Sequence, residues 1–236
     1  MQVFQVTYGD DCCLVGVDDA GDIHLLDRDL EEEEALAEMG LGASDCYRLY
    51  VRLRDDPDDL MIETVQGCNL ELLKLAVAAG ADVRADYDDA LCFAADRGLY
   101  DIAEYLLAAG ADVHAQDDEA LRWAARSGHF SMVKLLLDSG ADVQARDNEA
   151  IHWAANETEF KVVKLLLQHG ANINTSDGAV LSNAVLYGDK ELVRYLLEHG
   201  ADVHADNDLA FHWAEGNGPM HDLLLEWVQG GHDENL

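Results

Sequence analysis

The sequence predicts a mostly α-helical solenoid preceded by a small β-rich α+β module. The first observation is a four-residue pattern, Gly-Ala-Asp-Val or a close variant, that recurs five times at a constant interval of thirty residues, beginning at Gly80, Gly110, Gly140, Gly170 and Gly200. A constant period of this length indicates a stack of one repeated supersecondary unit. The second observation is that residues 1–56 lack the repeat and show alternating apolar residues.

We predict six units between residues 57 and 230, followed by a tail at 231–236. The units are 57–86, 87–116, 117–146, 147–176, 177–206 and a shortened 207–230. The first and last diverge in sequence, as the terminal units of a solenoid do when one of their faces must be polar.

Each unit is predicted to hold two helices. One column before the first helix contains residue types that cap helix N-termini, with a glycine in the fifth unit: Asp88, Asp118, Asn148, Gly178 and Asp208. Gly98, Gly128 and Gly188 end the first helix, and Thr158 is the exception. In the second helix, Val133, Leu136 and Leu137 have the spacing of one buried face.

This helix–turn–helix unit, with Ala-Leu-x-x-Ala-Ala in its first helix and Gly-Ala-Asp-Val at its end, resembles the ankyrin repeat. The resemblance covers residues 57–230. The usual period of that family is about 33 residues with a Thr-Pro-Leu-His motif, whereas here the loop is shorter and only fragments such as Ile151-His152 remain. The shortened form is similar to ankyrin arrays common in large DNA viruses of amoebae.

Residues 1–56 are predicted to form the β-rich module. Val3–Thr7 alternates like a strand, and two short apolar runs flank a hairpin-like turn at Asp18–Asp22. A helix is predicted from Glu31 to Met39, and the alternation from Tyr47 to Leu53 predicts a further strand.

The formal net charge of −33 restricts the partners that the chain can have. Acidic residues outnumber basic ones on both sides of residue 56. Such a molecule repels phosphate backbones and anionic membranes, so we expect neither direct nucleic-acid binding nor membrane binding. It attracts basic protein surfaces. Two other interpretations stay open: an acidic mimic of nucleic acid that blocks a basic protein groove, and a charge that serves only solubility in high salt.

The sequence shows no pattern of catalytic, cofactor or metal-binding residues. It lacks a serine nucleophile elbow, a phosphate-binding glycine loop and paired histidines on a helix, so we expect no enzyme activity and no cofactor. An EF-hand loop starting at Asp18 would need glycine where Ile23 stands, which argues against a calcium site.

The cysteines and the apolar runs suggest where the protein resides. The five cysteines are odd in number and lack a Cys-x-x-Cys pair: Cys12, Cys13, Cys46, Cys68 and Cys92. This pattern favours a reducing, intracellular setting without a disulfide framework or a zinc site. No apolar run is long enough for a membrane span, and the N-terminus resembles no signal peptide. We therefore expect a cytoplasmic monomer, in the host cytoplasm if the source is viral.

The ankyrin resemblance implies a non-enzymatic scaffold that binds a protein through the concave face and the inter-unit loops. The acids predicted to contact the partner from the loops are Asp86, Asp89, Asp117, Glu119, Asp147 and Glu149. The predicted concave-face contacts follow two columns of the family pattern and the variable positions after the alanine pair: Arg122, His152, Trp123, Trp153, Asn183, Asp96, Arg126, Ser127, Asn156, Leu186 and Tyr187. For the tryptophans, packing between units competes with partner binding, and for the acids a solvated loop does.

Overall fold

The computed structural model describes residues 1–9, 11–26 and 45–230. The chain forms two compact units, residues 1–94 with 99–112, and residues 95–98 with the chain from 113 onward. The helix predicted at Glu31–Met39 and the tail at 231–236 lie outside the described residues.

A three-stranded antiparallel sheet opens the first compact unit. Its strands are β1 (Gln2–Tyr8), β2 (Asp11–Val17) and β3 (Ile23–Leu25), in that order across the sheet. The Asp18 carboxylate holds the β2–β3 turn by accepting the backbone N–H groups of Ala20 and Asp22 at 2.8 and 3.0 Å. The strand predicted at residues 3–7 and the predicted hairpin are therefore confirmed.

The strand predicted from Tyr47 to Leu53 is wrong, because helix α1 (Asp45–Asp55) occupies this segment. Leu49 and Leu53, one helical turn apart, are both fully buried. Arg52 of the same helix donates to the Tyr8 hydroxyl at 3.0 Å and to Asp59 at 2.8 Å. A short alternating run is compatible with either structure, and these tertiary contacts select the helix.

Six helix pairs follow α1 in the described residues. They are α2 (Pro57–Gln66) and α3 (Leu70–Ala78), α4 (Ala85–Arg97) and α5 (Tyr100–Ala108), α6 (Ala115–Arg126) and α7 (Phe130–Asp138), α8 (Ala145–Asn156) and α9 (Phe160–Gln168), α10 (Thr175–Tyr187) and α11 (Lys190–Glu198), and α12 (Ala205–Ala214) and α13 (Gly218–Gln229). Val133, Leu136 and Leu137 of α7 are buried, as their spacing predicts.

In the second compact unit the helices lie in two rows. The first helices pack side by side in the order α6, α8, α10 and α12, while α7 packs on α9 and α11 on α13. Each helix pair therefore packs on its sequence neighbours, as in other repeat proteins. The alanines of the first helices, such as Ala124 and Ala154, are fully buried and permit this close packing.

A left-handed turn of three residues begins each of the helices α4, α6, α8, α10 and α12. In α6 these residues are Gln116, Asp117 and Asp118, with φ of 53°, 57° and 57°. Aspartate, asparagine and glycine tolerate this conformation better than most residues do. The shortened loop between units thus contains a tight left-handed turn, and the third residue of that turn is always one of these types: Asp88, Asp118, Asn148, Gly178 and Asp208.

Three residues of the column predicted to cap the first helices have a different hydrogen-bond partner, so the capping prediction is wrong for Asp88, Asp118 and Asn148. Asp118 Oδ1 accepts the backbone N–H of Asp142, 24 residues later in the same unit, at 2.8 Å. The same bond joins Asp88 to the N–H of Asp112 and Asn148 to that of Asn172, each at 2.8 Å. In these three units the side chain ties the start of the unit to the loop that ends it.

Cys13 is disulfide-bonded and fully buried, so the expectation of cysteines without disulfides is wrong for this residue. A disulfide requires two cysteines whose Cα atoms lie within about 7 Å, which depends on tertiary structure and not on spacing along the chain. Cys12, Cys68 and Cys92 are not disulfide-bonded. None of the helices in the described ranges is long and apolar enough to cross a membrane.

Candidate functional site

The acids of the inter-unit turns do not share one environment. Asp86, Asp117 and Asp147 are exposed and have left-handed backbone conformations with φ of 50–59°. Asp89 and Glu119 follow these turns at the start of the helices, the first exposed and the second half-buried. Part of the acidity that the sequence attributes to partner binding thus coincides with a backbone conformation that aspartate tolerates well.

Arg122 is buried and fully engaged inside the protein. Its side chain donates to Glu149 at 2.8 Å and to the carbonyl oxygen of Gln116 at 2.9 Å, with a longer bond to the carbonyl of Asp117 at 3.4 Å. It therefore holds the left-handed turn of its own unit and connects α6 to α8. The two predicted contact residues Arg122 and Glu149 bind each other, so their polar groups stabilise the fold.

We define the first-helix face by the positions of Trp123, Arg126 and Ser127 and their equivalents at thirty-residue intervals. The equivalents in the other units are Phe93, Asp96 and Arg97, then Trp153, Asn156 and Glu157, then Asn183, Leu186 and Tyr187, and finally Trp213, Gly216 and Asn217. In the second compact unit the row of packed first helices brings these positions together on one surface.

The guanidinium group of Arg126 lies against two indole rings. Its central carbon is 5.3 Å from the centroid of Trp123 and 4.7 Å from the centroid of Trp153 in the next unit. Both tryptophans are half-buried and Arg126 is exposed. This arrangement contains both cation–π contacts and packing between units. It fits the packing interpretation of Trp123 and Trp153, and their contact with a partner stays a prediction.

Asp96 and Ser127 contact each other. The Ser127 hydroxyl donates to the Asp96 carboxylate at 3.0 Å, and the His129 ring lies 2.9 Å from the Asp96 carbonyl oxygen through its Nε2 atom. A side chain on the neighbouring Gly98 would collide with His129, since an added Cβ would lie 2.8 Å from that ring. Glycine at this position therefore serves the packing of α4 residues against His129.

Large apolar side chains are exposed at the C-terminal end of the face. Leu186 is 44% exposed, Tyr187 56% and Trp213 42%. Asn183, in the tryptophan column between Trp153 and Trp213, is half-buried. Three exposed apolar residues of this size on adjacent helices are unusual for a surface that contacts only water.

His152 and Asn156 lie one turn apart on α8 and carry unsatisfied polar atoms. His152 Nε2 and Asn156 Oδ1 are buried and have no hydrogen-bond partner among the described residues. Burial lowers the pKa of His152, against the opposing effect of the charges on Asp147 and Glu149. The equivalent Arg122 reaches backbone carbonyls from the same column, whereas the shorter imidazole leaves Nε2 unpaired.

Sequence reasoning left Trp213 out of the contact residues although it lies in the same thirty-residue column as Trp123 and Trp153. The thirty-residue register alone would have found it, since Trp213 stands thirty residues after Asn183 and sixty after Trp153. Within the described residues, no group of three or more His, Cys, Asp or Glu side chains is arranged to hold a metal ion.

Comparison with known proteins identifies the class of this repeat. A family model described as ankyrin repeats (3 copies) matches three overlapping stretches, residues 60–147, 116–177 and 151–235. A comparison with curated proteins found no significant match. The chain belongs to the ankyrin-repeat family, whose members generally mediate protein–protein interactions and are typically non-enzymatic scaffolds.

Proposed function

We propose that this protein is a scaffold that binds a basic protein through the first-helix face, with the inter-unit turns at the edge of the contact. The observation that carries the proposal is the exposure of Leu186, Tyr187 and Trp213 on one surface. Large aromatic and apolar side chains of this kind anchor partners when they lie near the centre of an interface. The same face also carries different residues in each unit, which suits recognition better than a packing role.

The basic character of the partner follows from charge complementarity. The chain has 48 acidic against 15 basic residues, and Asp86, Asp117 and Asp147 expose their side chains in successive turns. Exposed carboxylates raise the rate at which a basic surface meets the molecule. No observation specifically favours the nucleic-acid mimic, because the exposed apolar residues of the first-helix face are not a feature that imitates a phosphate backbone.

The remaining features of the proposal come from the sequence. We propose a monomeric, cofactor-free scaffold without enzyme activity, and without direct binding to nucleic acid or membranes. A cytoplasmic setting is part of this proposal, although the disulfide of Cys13 is more typical of an oxidising compartment.

The test is affinity capture from source cells with two matched variants. Trp213 on the face and Phe130 on α7 are 42% and 41% exposed, so Trp213→Ser and Phe130→Ser remove similar exposed area at different places. We expect proteins retained by the unmodified chain to be lost with Trp213→Ser and kept with Phe130→Ser, as measured by quantitative mass spectrometry. Equal retention by both variants would contradict binding through the first-helix face.

A further inference from the structure

The two indole rings around Arg126 form a slot on the first-helix face. Trp123 comes from α6 and Trp153 from α8, so the slot spans two consecutive units. A guanidinium group already occupies it, at 5.3 and 4.7 Å from the ring centroids. The slot is therefore of a size and chemistry that accept a planar cation.

A small cavity lies beside the occupied slot. Arg122, Trp123, Arg126, Glu149 and Trp153 line it, and its volume is about 50 Å³. On this measure a single water needs roughly 10–15 Å³, so the cavity accommodates a few waters. The position against both rings is taken by Arg126, so another cationic group makes the same two ring contacts only if Arg126 leaves.

Arg126 is held by its contacts with the two rings. Within the described part of the chain, its guanidinium takes part in no ion pair or hydrogen bond, and the side chain is exposed. Arg126 is also the last residue of α6. Its side chain can therefore turn outward without breaking a hydrogen bond of the fold.

The charge around the slot favours a cation as the incoming group. The charge of Arg122 is matched by Glu149 at 2.8 Å and by Glu119 at 3.9 Å. Asp117 and Asp147 lie exposed in the adjoining turns of a chain with a net charge of −33. A carboxylate from a partner would meet this field as a like charge, whereas an arginine would not.

We propose that the slot between Trp123 and Trp153 receives an arginine side chain of the basic partner, and that Arg126 is an internal occupant which this arginine displaces. The inference rests on the proposed function, because it supplies one specific contact between the face and a basic protein. Arg126 thereby acts as a competitor that lowers the affinity for arginine-bearing partners.

The experiment compares an oligo-arginine with an oligo-lysine peptide of the same length, by calorimetric titration of the full chain at fixed salt. The variant Arg126→Gln empties the slot. Arg194→Gln is its matched control, because Arg194 is exposed on α11 and its removal changes the net charge equally. Trp153→Leu in the Arg126→Gln background removes one wall of the emptied slot.

We expect Arg126→Gln to raise the preference for oligo-arginine over oligo-lysine by about two- to fivefold, the ratio that a cation–π contact at a partly exposed site provides. Arg194→Gln should leave the preference unchanged, and the added Trp153→Leu should abolish the gain. If both peptides bind but Arg126→Gln leaves the preference for oligo-arginine unchanged, as Arg194→Gln does, the slot inference is overturned. The proposal of a basic partner is then unaffected. If no variant binds either peptide, both the slot and the basic partner are wrong.

Discussion

The inter-unit turns are alike from unit to unit in their backbone conformation, whereas the first-helix face differs from unit to unit in its side chains. In the five turns the backbone is the same, with φ between 47° and 63° at every non-glycine residue and 77° at Gly178. On the face the backbone is also the same, but the side chains change from Arg126 to Asn156 and then to Leu186.

This difference separates the requirements of folding from those of recognition. Asp118 and Asn148 satisfy a left-handed conformation and accept a backbone N–H from the end of their own unit, so the fold alone accounts for them. Nothing in the packing requires Leu186 or Tyr187, both of which are exposed. Residues of the second kind are the better guide to function, although the turns contain the more prominent acidic pattern.

The largest expected effect compares two leucines of the fifth unit. Leu196 is fully buried in α11, while Leu186 is 44% exposed on the face. We expect Leu196→Ala to lower the free energy of unfolding by about 2–5 kcal/mol, and Leu186→Ala to change it by less than about 0.5 kcal/mol. Urea denaturation of both variants measures this. Similar losses would mean that the face has a packing role after all.

A smaller effect is expected in the turns. Asp118→Ala removes the acceptor of the Asp142 N–H and places alanine in a left-handed conformation, so it should cost about 1–3 kcal/mol. Asp118→Asn is the control, since Asn148 makes the same bond in the next unit. Denaturation curves in which Asn costs as much as Ala would show that the bond does not stabilise the turn.

The smallest effect concerns Asp88, whose pKa is raised by burial despite the hydrogen bond from Asp112. A carboxyl group whose pKa is higher in the folded state stabilises the fold at low pH and loses this contribution as the pH rises through that pKa. Asp88→Asn keeps the acceptor and removes the charge. We expect this variant to be slightly more stable than the unmodified chain at pH 7, with a gain that shrinks as the pH falls.

The stability of Asp88→Asn and of the unmodified chain should be compared by urea denaturation at pH 7 and pH 5. If Asp88→Asn is less stable than the unmodified chain at pH 7, burying the charge of Asp88 has no net cost and the prediction is wrong. Asn148 in the equivalent position shows that an amide fits the turn.

Much of the repeat could be predicted from the sequence, because its signals are local. The period of thirty residues and the buried face of α7 depend on residues close in the chain, and both agree with the structure. The segment at 45–55 could not be predicted in this way. Its helix depends on contacts of Arg52 with Tyr8 and Asp59, which no local pattern shows.

The sequence predicts which residues of the candidate site share a column of the repeat, but not which contacts each of them makes. The thirty-residue register places Arg122 and His152 together, yet Arg122 is fully bonded inside the protein while His152 Nε2 lacks a partner in the described chain. The contact of Arg126 with Trp153 joins two units and depends on the distance between α6 and α8. Whether a side chain of one unit contacts the next unit depends on the tertiary structure, so the sequence alone does not show it.

The central claim is that the face provides specific contacts with the partner while the turns attract it from a distance. Two variants separate these roles. Asp117→Asn/Asp147→Asn removes two exposed carboxylates from the turns and leaves Glu119 and Glu149 intact, because both pair with Arg122. Leu186→Ala/Tyr187→Ala removes exposed apolar area from the face.

The most direct measurement is the association and dissociation rate of the captured partner with each variant over a range of salt concentrations. We expect the turn variant to associate more slowly, with a deficit that fades as salt screens charges beyond about 8 Å at physiological ionic strength. The face variant should associate normally and dissociate faster. A face variant that dissociates at the unmodified rate, together with a turn variant that no longer binds, would contradict the claim and assign recognition to the turns.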